Sequence, residues 1–201
     1  DGSNQGVAWR APAFNDAAWP VGPAQFGYGE GDESTVIDTV GPNGKIAAHY
    51  FRKSFTIQNI ELVNQACLGL LRDDGAVVYI NGVELGRTNM PAGAINFQTA
   101  ASGQAADDGQ LYQMYPVNVG LLNQGANLIA VELHQSLVAA DNDASFDAFL
   151  VAAPCGGNIH GFKWRDLDGD GQRDANEPGV PGVTIYADVN GNIAYQMPGD
   201  I

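Results

Sequence analysis

The sequence predicts an all-β protein organised as a β-sandwich, and three observations lead there. Apolar and polar residues alternate in short runs, and no segment sustains the 3.6-residue period of a helix. The 26 glycines and 10 prolines are scattered through 201 residues, which interrupts long helices and marks turns between short strands. Asn81-Gly82 lies between two apolar runs, and Asn-Gly tolerates the positive φ angles of a two-residue hairpin turn. A hydrophobic fraction of 45% is enough for a packed core.

Residues 1–45 read as loop-rich, anchored by Trp9, Phe14 and Trp19. Residues 50–57 alternate, with Phe51, Phe55 and Ile57 on one side of a half-buried strand. Leu68–Arg72 is a second strand, and Asp73-Asp74-Gly75 is expected to turn after it. The hairpin takes residues 76–80 and 83–87 as its arms. Residues 88–110 are small and polar and predict a long surface loop. A short strand is expected over residues 117–121 and a mostly buried one over 128–134. The polar loop Asp141-Asn142-Asp143 precedes a closing strand over 146–152. Pro154 to Gly157 has the composition of a junction. The expected organisation is a first module over 1–153, a linker over 154–157 and a second module over 158–201.

Charge narrows the partners. With 23 acidic and 9 basic residues the formal net charge is −14. A phosphate backbone requires clustered Lys and Arg, so nucleic acid is not an expected partner. An anionic membrane surface is disfavoured for the same reason, and no apolar run reaches the roughly 18 residues of a membrane span. The chain begins at Asp1 and ends at Ile201, and is expected to be a processed piece of a longer protein carrying further domains.

Two cysteines, Cys67 and Cys155, show no CxxC spacing. Setting Cys67 opposite Cys155 in an antiparallel pair places Gly69 against Ala153, Leu71 against Val151 and Asp73 against Phe149. That register keeps apolar side chains on matching faces except at its last pair. A disulfide there implies an oxidising, extracellular setting; two unrelated buried thiols are the alternative.

Three stretches of the first module share a pattern. They are Phe14 to Trp19 with Phe26-Gly27-Tyr28-Gly29, then Arg72 through Glu84, then Asn127 through Gln135. Together they resemble the galactose-binding-like jelly-roll module, an accessory domain of secreted bacterial hydrolases, phosphoesterases and surface proteins. The resemblance implies a jelly-roll β-sandwich and either glycan binding or a spacer role. Modules of that kind often begin with one more strand.

The sharpest chemical signal is the run from Asp166 to Glu177, which fits D-x-D-x-D-G-x-x-D-x-x-E. Ca2+ wants six to eight oxygens at about 2.3–2.6 Å. Asp166, Asp168 and Asp170 offer carboxylates at loop positions 1, 3 and 5. Gln172 offers its carbonyl at position 7, Asp174 serves position 9, and Glu177 can bind through both oxygens at position 12. Pro178-Gly179-Val180-Pro181-Gly182 follows at once and forbids an exiting helix. Residues 159–164 and 183–187 alternate like strands, so the ion is expected to staple strands rather than to switch helices. Residues 161–186 resemble the B-type repeats of serine-aspartate-repeat surface adhesins. That resemblance implies a partial immunoglobulin-like, calcium-binding β-module of the stalk type.

Other constellations point away from catalysis. His49, His134 and His160 lack metal-ligand spacing, and no G-x-S-x-G elbow is present. Glu30, Asp32 and Glu33 in a glycine-rich loop could bind a second cation, with a solvated loop as the alternative. Trp9, Trp19, Tyr28 and Tyr112 could stack on a sugar ring, with core anchoring as the alternative. No catalytic residue is assigned. The expected function is that of a non-enzymatic, extracellular, calcium-binding structural or adhesive protein of a bacterial surface or assembly. Its partners would be glycans or neighbouring subunits, without membrane insertion. The alternative is an accessory, carbohydrate-binding region of a larger secreted hydrolase or phosphoesterase.

Overall fold

The computed structural model describes residues 2–41, 44–136, 143–155 and 167. Cα proximity divides the chain into two units, Asp1–Gly157 and Asn158–Ile201. The acidic run expected to hold calcium, at Asp166, Asp168, Asp170, Gln172, Asp174 and Glu177, lies outside the described residues, as does the expected immunoglobulin-like module around it.

Among the described residues the first unit is all β, with three single-turn 3-10 helices at Ala8–Arg10, Ile60–Leu62 and Val119–Leu121. Its strands are β1 (Phe26–Tyr28), β2 (Thr35–Val36), β3 (Val40–Gly41), β4 (Gly44–Lys45), β5 (Ala48–Ile57), β6 (Ala66–Asp73), β7 (Gly75–Ile80), β8 (Val83–Thr88), β9 (Gln113–Val117), β10 (Gly125–His134) and β11 (Ala144–Val151). One sheet runs β2-β1-β11-β6-β9, the other β5-β10-β7-β8, and β3 pairs with β4 alone. With β2 set aside, two four-stranded layers face each other as β1-β11-β6-β9 and β5-β10-β7-β8. Apart from the β7–β8 hairpin, successive strands of these layers cross from one to the other in the double Greek-key order of a jelly roll.

Periodicity explains which faces meet. Leu68 and Leu70 of β6, Val78 and Ile80 of β7, Val131 and Leu133 of β10 and Phe146 of β11 fill the space between the sheets. Phe51, Phe55 and Ile57 of β5 join that core as the alternation predicts, and Phe51 stacks on Phe146 at 4.1 Å. A second cluster forms on the outer face of the four-stranded sheet, where Trp9 packs on Val77, Tyr79, Leu128 and Ala130. Trp9 is fully buried, and covering about 200 Å² of ring at ~25 cal/mol per Å² is worth about 5 kcal/mol. Arg52 of β5 ties that N-terminal segment down. Its Nε donates to Asp16 at 2.7 Å, and its terminal nitrogens donate to the carbonyls of Trp9, Ala11 and Phe14.

The Asn81-Gly82 turn is present, with φ of 50° and 87° at its two residues. Cys67 and Cys155 are bonded, with Cα atoms 5.1 Å apart.

Two expectations are corrected and two are refined. In the β6–β11 register Cys67 faces Val151, Gly69 faces Phe149 and Asp73 faces Ser145, four residues away from the expected pairing. An even shift leaves every side chain on the same face, so alternation could not tell the two apart. Cys155 reaches Cys67 from beyond the end of β11 instead. The turn expected at Asp73-Asp74-Gly75 is narrowed to Asp74, which alone carries the chain from β6 in one sheet to β7 in the other. Residues 113–117 form the strand expected over 117–121, where a 3-10 turn stands in its place. Asn118 caps that turn by accepting from the Gly120 amide. Within the loop-rich residues 1–45, Phe26-Gly27-Tyr28 pairs with β11 as β1. Three residues are too few to show a period.

Candidate metal centre

The Arg72-Asp73-Asp74 stretch, at the point where β6 hands over to β7, organises one end of the sandwich. Arg72 is buried and donates to Asp107 at 2.6 Å, in a pair whose side chains are 5% and 15% exposed. Asp74 is buried too, and its carboxylate accepts from the amides of Ala105 at 2.9 Å and Ser136 at 2.7 Å. Asn89 donates to the carbonyls of Gly103 and Asp74. The loop over 88–110 is a surface loop, as its composition suggests, and buried polar groups pin it at several points.

Between those two anchors Asp73 meets two other carboxylates. Oxygens of Asp73, Asp108 and Asp143 all lie within 4.8 Å of one another, with Asp73 buried, Asp143 half-buried and Asp108 exposed. Asp108 and Gly109 both have positive φ, at 50° and 62°, which Asp tolerates and Gly adopts freely. A Cβ on Gly109 would stand 2.9 Å from Ser145 Cβ and 3.0 Å from Asp73 Cβ. The missing side chain is what lets the loop press onto β6 and β11 and deliver Asp108 to the cluster.

Glu30 borders the same end. Its carboxylate accepts from Ser145 Oγ at 2.6 Å. Burial pushes the Glu30 carboxyl above its usual range; the Ser145 bond opposes this, and the charges of Asp32, Asp143 and Asp108 add to the rise. Carboxylates thus converge at this end of the sandwich.

The donor chemistry suits one class of ion. Every ligating atom is a carboxylate oxygen, the preference of hard cations such as Ca2+ and Mg2+. An ion with bonds of about 2.4 Å spans oxygens up to about 4.8 Å apart, and this trio meets that limit. The Asp73, Asp108 and Asp143 carboxylates can thus hold a metal ion, with backbone carbonyls or water completing its shell.

The glycine-rich loop read as a second cation site is divided. Glu33 accepts from the amides of Glu30 at 2.9 Å and Gly31 at 3.0 Å, so it caps its own loop. Of Glu30, Asp32 and Glu33, it is Glu30 whose carboxylate is fixed to β11 beside the trio. Asp73 and Asp108 were missed because each sits in an Asp-Asp-Gly triplet that reads as an ordinary turn. Only the fold brings together residues 35 and more apart in sequence.

The candidate sugar-stacking aromatics also divide. Trp9 and Tyr28 are buried, at 0% and 7% exposure, and Tyr28 Oη donates to Gln135. Trp19 packs edge-on against Phe14. Tyr112 is 40% exposed. Of the histidines, His49 is buried with Nε2 2.9 Å from the Asp38 carbonyl, and burial holds its ring below the usual value. His134 is buried with Nδ1 donating to the Thr99 carbonyl at 2.7 Å. His160 lies outside the described residues.

No family model matches the chain, and no curated protein matches it. Among solved structures it is similar to a β-glucuronidase from glycoside hydrolase family 2, at 21% identity over 66% of this chain and 12% of that one, with a TM-score of 0.42. It is similar to a β-glucuronidase of Bacteroides uniformis, at 15% identity over 72% of this chain and 16% of that one, TM-score 0.41. A β-glycosidase from Bacteroides vulgatus shows 20% identity over 72% of this chain and 18% of that one, TM-score 0.40. The chain spans less than a fifth of the length of each.

Proposed function

We propose that this chain is a non-catalytic accessory region of a larger secreted glycan-processing protein, built around a jelly-roll sandwich fastened at both ends of its central strand. One observation carries the reading. Strand β6 carries Cys67, bonded to Cys155, as its second residue, and ends with Asp73, in the carboxylate trio. A disulfide belongs to oxidising compartments, and millimolar Ca2+ is the hard cation such compartments supply in excess of the weak affinity of extracellular modules. Calcium is the ion proposed for the trio, and also for Asp166, Asp168, Asp170, Gln172, Asp174 and Glu177 in the second module. The buried ionisable groups support a scaffold role, because they are spent on structure. Glu132 is bound by Tyr79, Arg10 and His134, and Asp74 holds two loops.

The test is made in the parent protein. Deleting residues 2–155 should lower turnover of a polymeric glycan several-fold and leave turnover of a small chromogenic glycoside unchanged. Equal loss on both substrates, or a parent chain with no hydrolase domain, would overturn the reading. In the latter case the structural or adhesive role suggested by the acidic run of the second module takes its place.

A further inference from the structure

We propose that the outer face of the five-stranded sheet, between β9 and β11, is a platform for a neutral glycan, with the ring of Phe149 as its floor and Tyr112 and Asp147 as its polar wall. The inference deepens the accessory reading above, and rests on it for the class of ligand.

The register builds the platform. Met114 of β9 and Phe149 of β11 both pair with Gly69 of β6, so the three form one row across the sheet. Their neighbours Leu68, Leu70 and Tyr115 point into the core, which turns this row outward. A Cβ on Gly69 would lie 2.3 Å from two atoms of the Phe149 ring. The ring therefore rests on the bare backbone of β6. It shields a glycine that would otherwise weaken the strand. Cover is not its whole character, because Phe149 remains 40% exposed, alongside Tyr112 at 40% and Met114 at 43%. Tyr112 sits 5.2 Å from Phe149, ring centre to ring centre, at an angle of 53°.

Polar groups flank the rings in fixed positions. Tyr112 Oη donates to one Asp147 oxygen, and the Ala148 amide donates to the other at 2.7 Å. Each carboxylate oxygen keeps further lone pairs for hydroxyl donors. Rings that present an apolar face, next to an oriented acceptor, match a pyranose, which has one C–H face and a rim of hydroxyls. Three strands span about 10 Å, room for one or two sugar rings.

Charge chooses among occupants. At a net charge of −14 the chain repels sulfate, phosphate and uronate groups, and it repels a second copy of itself. A cationic protein would be drawn to clustered carboxylates, whereas the exposed side chains of this face are chiefly the uncharged Phe149, Tyr112 and Met114. A neutral polyol meets neither obstacle.

The experiment uses the full 201-residue chain in native gels containing neutral galactan, mannan, xylan or mixed-linkage β-glucan. Retardation by at least one of these is expected. Phe149→Leu keeps an apolar cover on Gly69 but removes the ring, and Tyr112→Phe removes only the hydroxyl. Each should weaken retardation at least tenfold by apparent affinity while circular dichroism melting stays near that of the parent chain. Should Phe149→Leu fail to fold, Tyr112→Phe and Asp147→Asn carry the test alone. Retardation unaltered in Tyr112→Phe and Asp147→Asn would place the glycan elsewhere and overturn the platform while leaving the accessory reading intact. No retardation by any of the four polysaccharides would also overturn it. So would a concentration-dependent dimer, seen by light scattering, that the Tyr112→Phe variant abolishes.

Discussion

At Gly109 a side chain would meet Ser145 and Asp73 at about 3 Å in a backbone region that L-residues avoid. Gly109→Ala should therefore cost about 2–4 kcal/mol, from backbone strain and overpacking together. It should also remove any stabilisation by calcium that depends on Asp108. Urea unfolding with and without calcium measures both, and a variant that unfolds like its parent would refute the role given to this loop. Glu132 makes a different kind of residue-scale statement. Burial tends to raise its carboxyl, but the adjacent His134 ring, the hydrogen bond from Tyr79 and the Arg10 guanidinium outweigh that, so it lies below its ordinary 4.5. A depressed folded value means the native state binds the proton less readily than the unfolded chain. The resulting stability is present above pH 4.5 and is lost as pH falls through the lower folded value. Glu132→Gln should cost about 3 kcal/mol at pH 7, the penalty of unpairing a buried ionic group, and should flatten the acid limb of the stability curve. An acid limb unchanged in the variant would assign it to other carboxylates. The alternation around residue 132 announced a buried strand, yet nothing local announced that its glutamate would be covered by Arg10 from the far end of the module.

At the scale of elements, the disulfide and the strand it follows show how pattern and geometry divide the work. Apolar alternation placed β6 and β11 side by side and on the correct faces. It left the register undetermined, because a shift of four residues preserves those faces. Phe149 resting on Gly69 suits the observed register, since a side chain at position 69 would take the space of the ring. The bond itself joins residues 88 apart. By chain entropy, opening a loop of that length costs up to about 4–5 kcal/mol. The Cys67→Ala, Cys155→Ala double variant should lose most of this in urea unfolding while keeping its β circular dichroism at 25 °C. A loss under about 1 kcal/mol would mean that the sheets alone restrain the unfolded chain. The hairpin of β7 and β8 was fully legible, since Asn81-Gly82 acts through neighbouring residues and needs no distant partner.

For the whole molecule, the decisive quantity is the free energy of holding acidic loops together at one end of a sandwich. Calcium at about 100 times its dissociation constant would add about 2.7 kcal/mol, a rise of roughly 5–10 °C in melting temperature for a domain of this size. Asp73→Asn should remove the rise in the transition of the first unit, whereas Asp168→Asn, in the second module, should leave that transition as it is. Equal melting temperatures in calcium and in chelator would eliminate the trio as a site. The sequence by itself determined the all-β class, the main strands and the hairpin, because those follow from local periodicity and turn chemistry. Only the tertiary structure decided the strand register, the burial of the N-terminal tryptophan and the meeting of Asp73, Asp108 and Asp143. Each of these depends on which distant segments the jelly-roll crossings lay side by side, and periodicity along the chain carries no record of that choice.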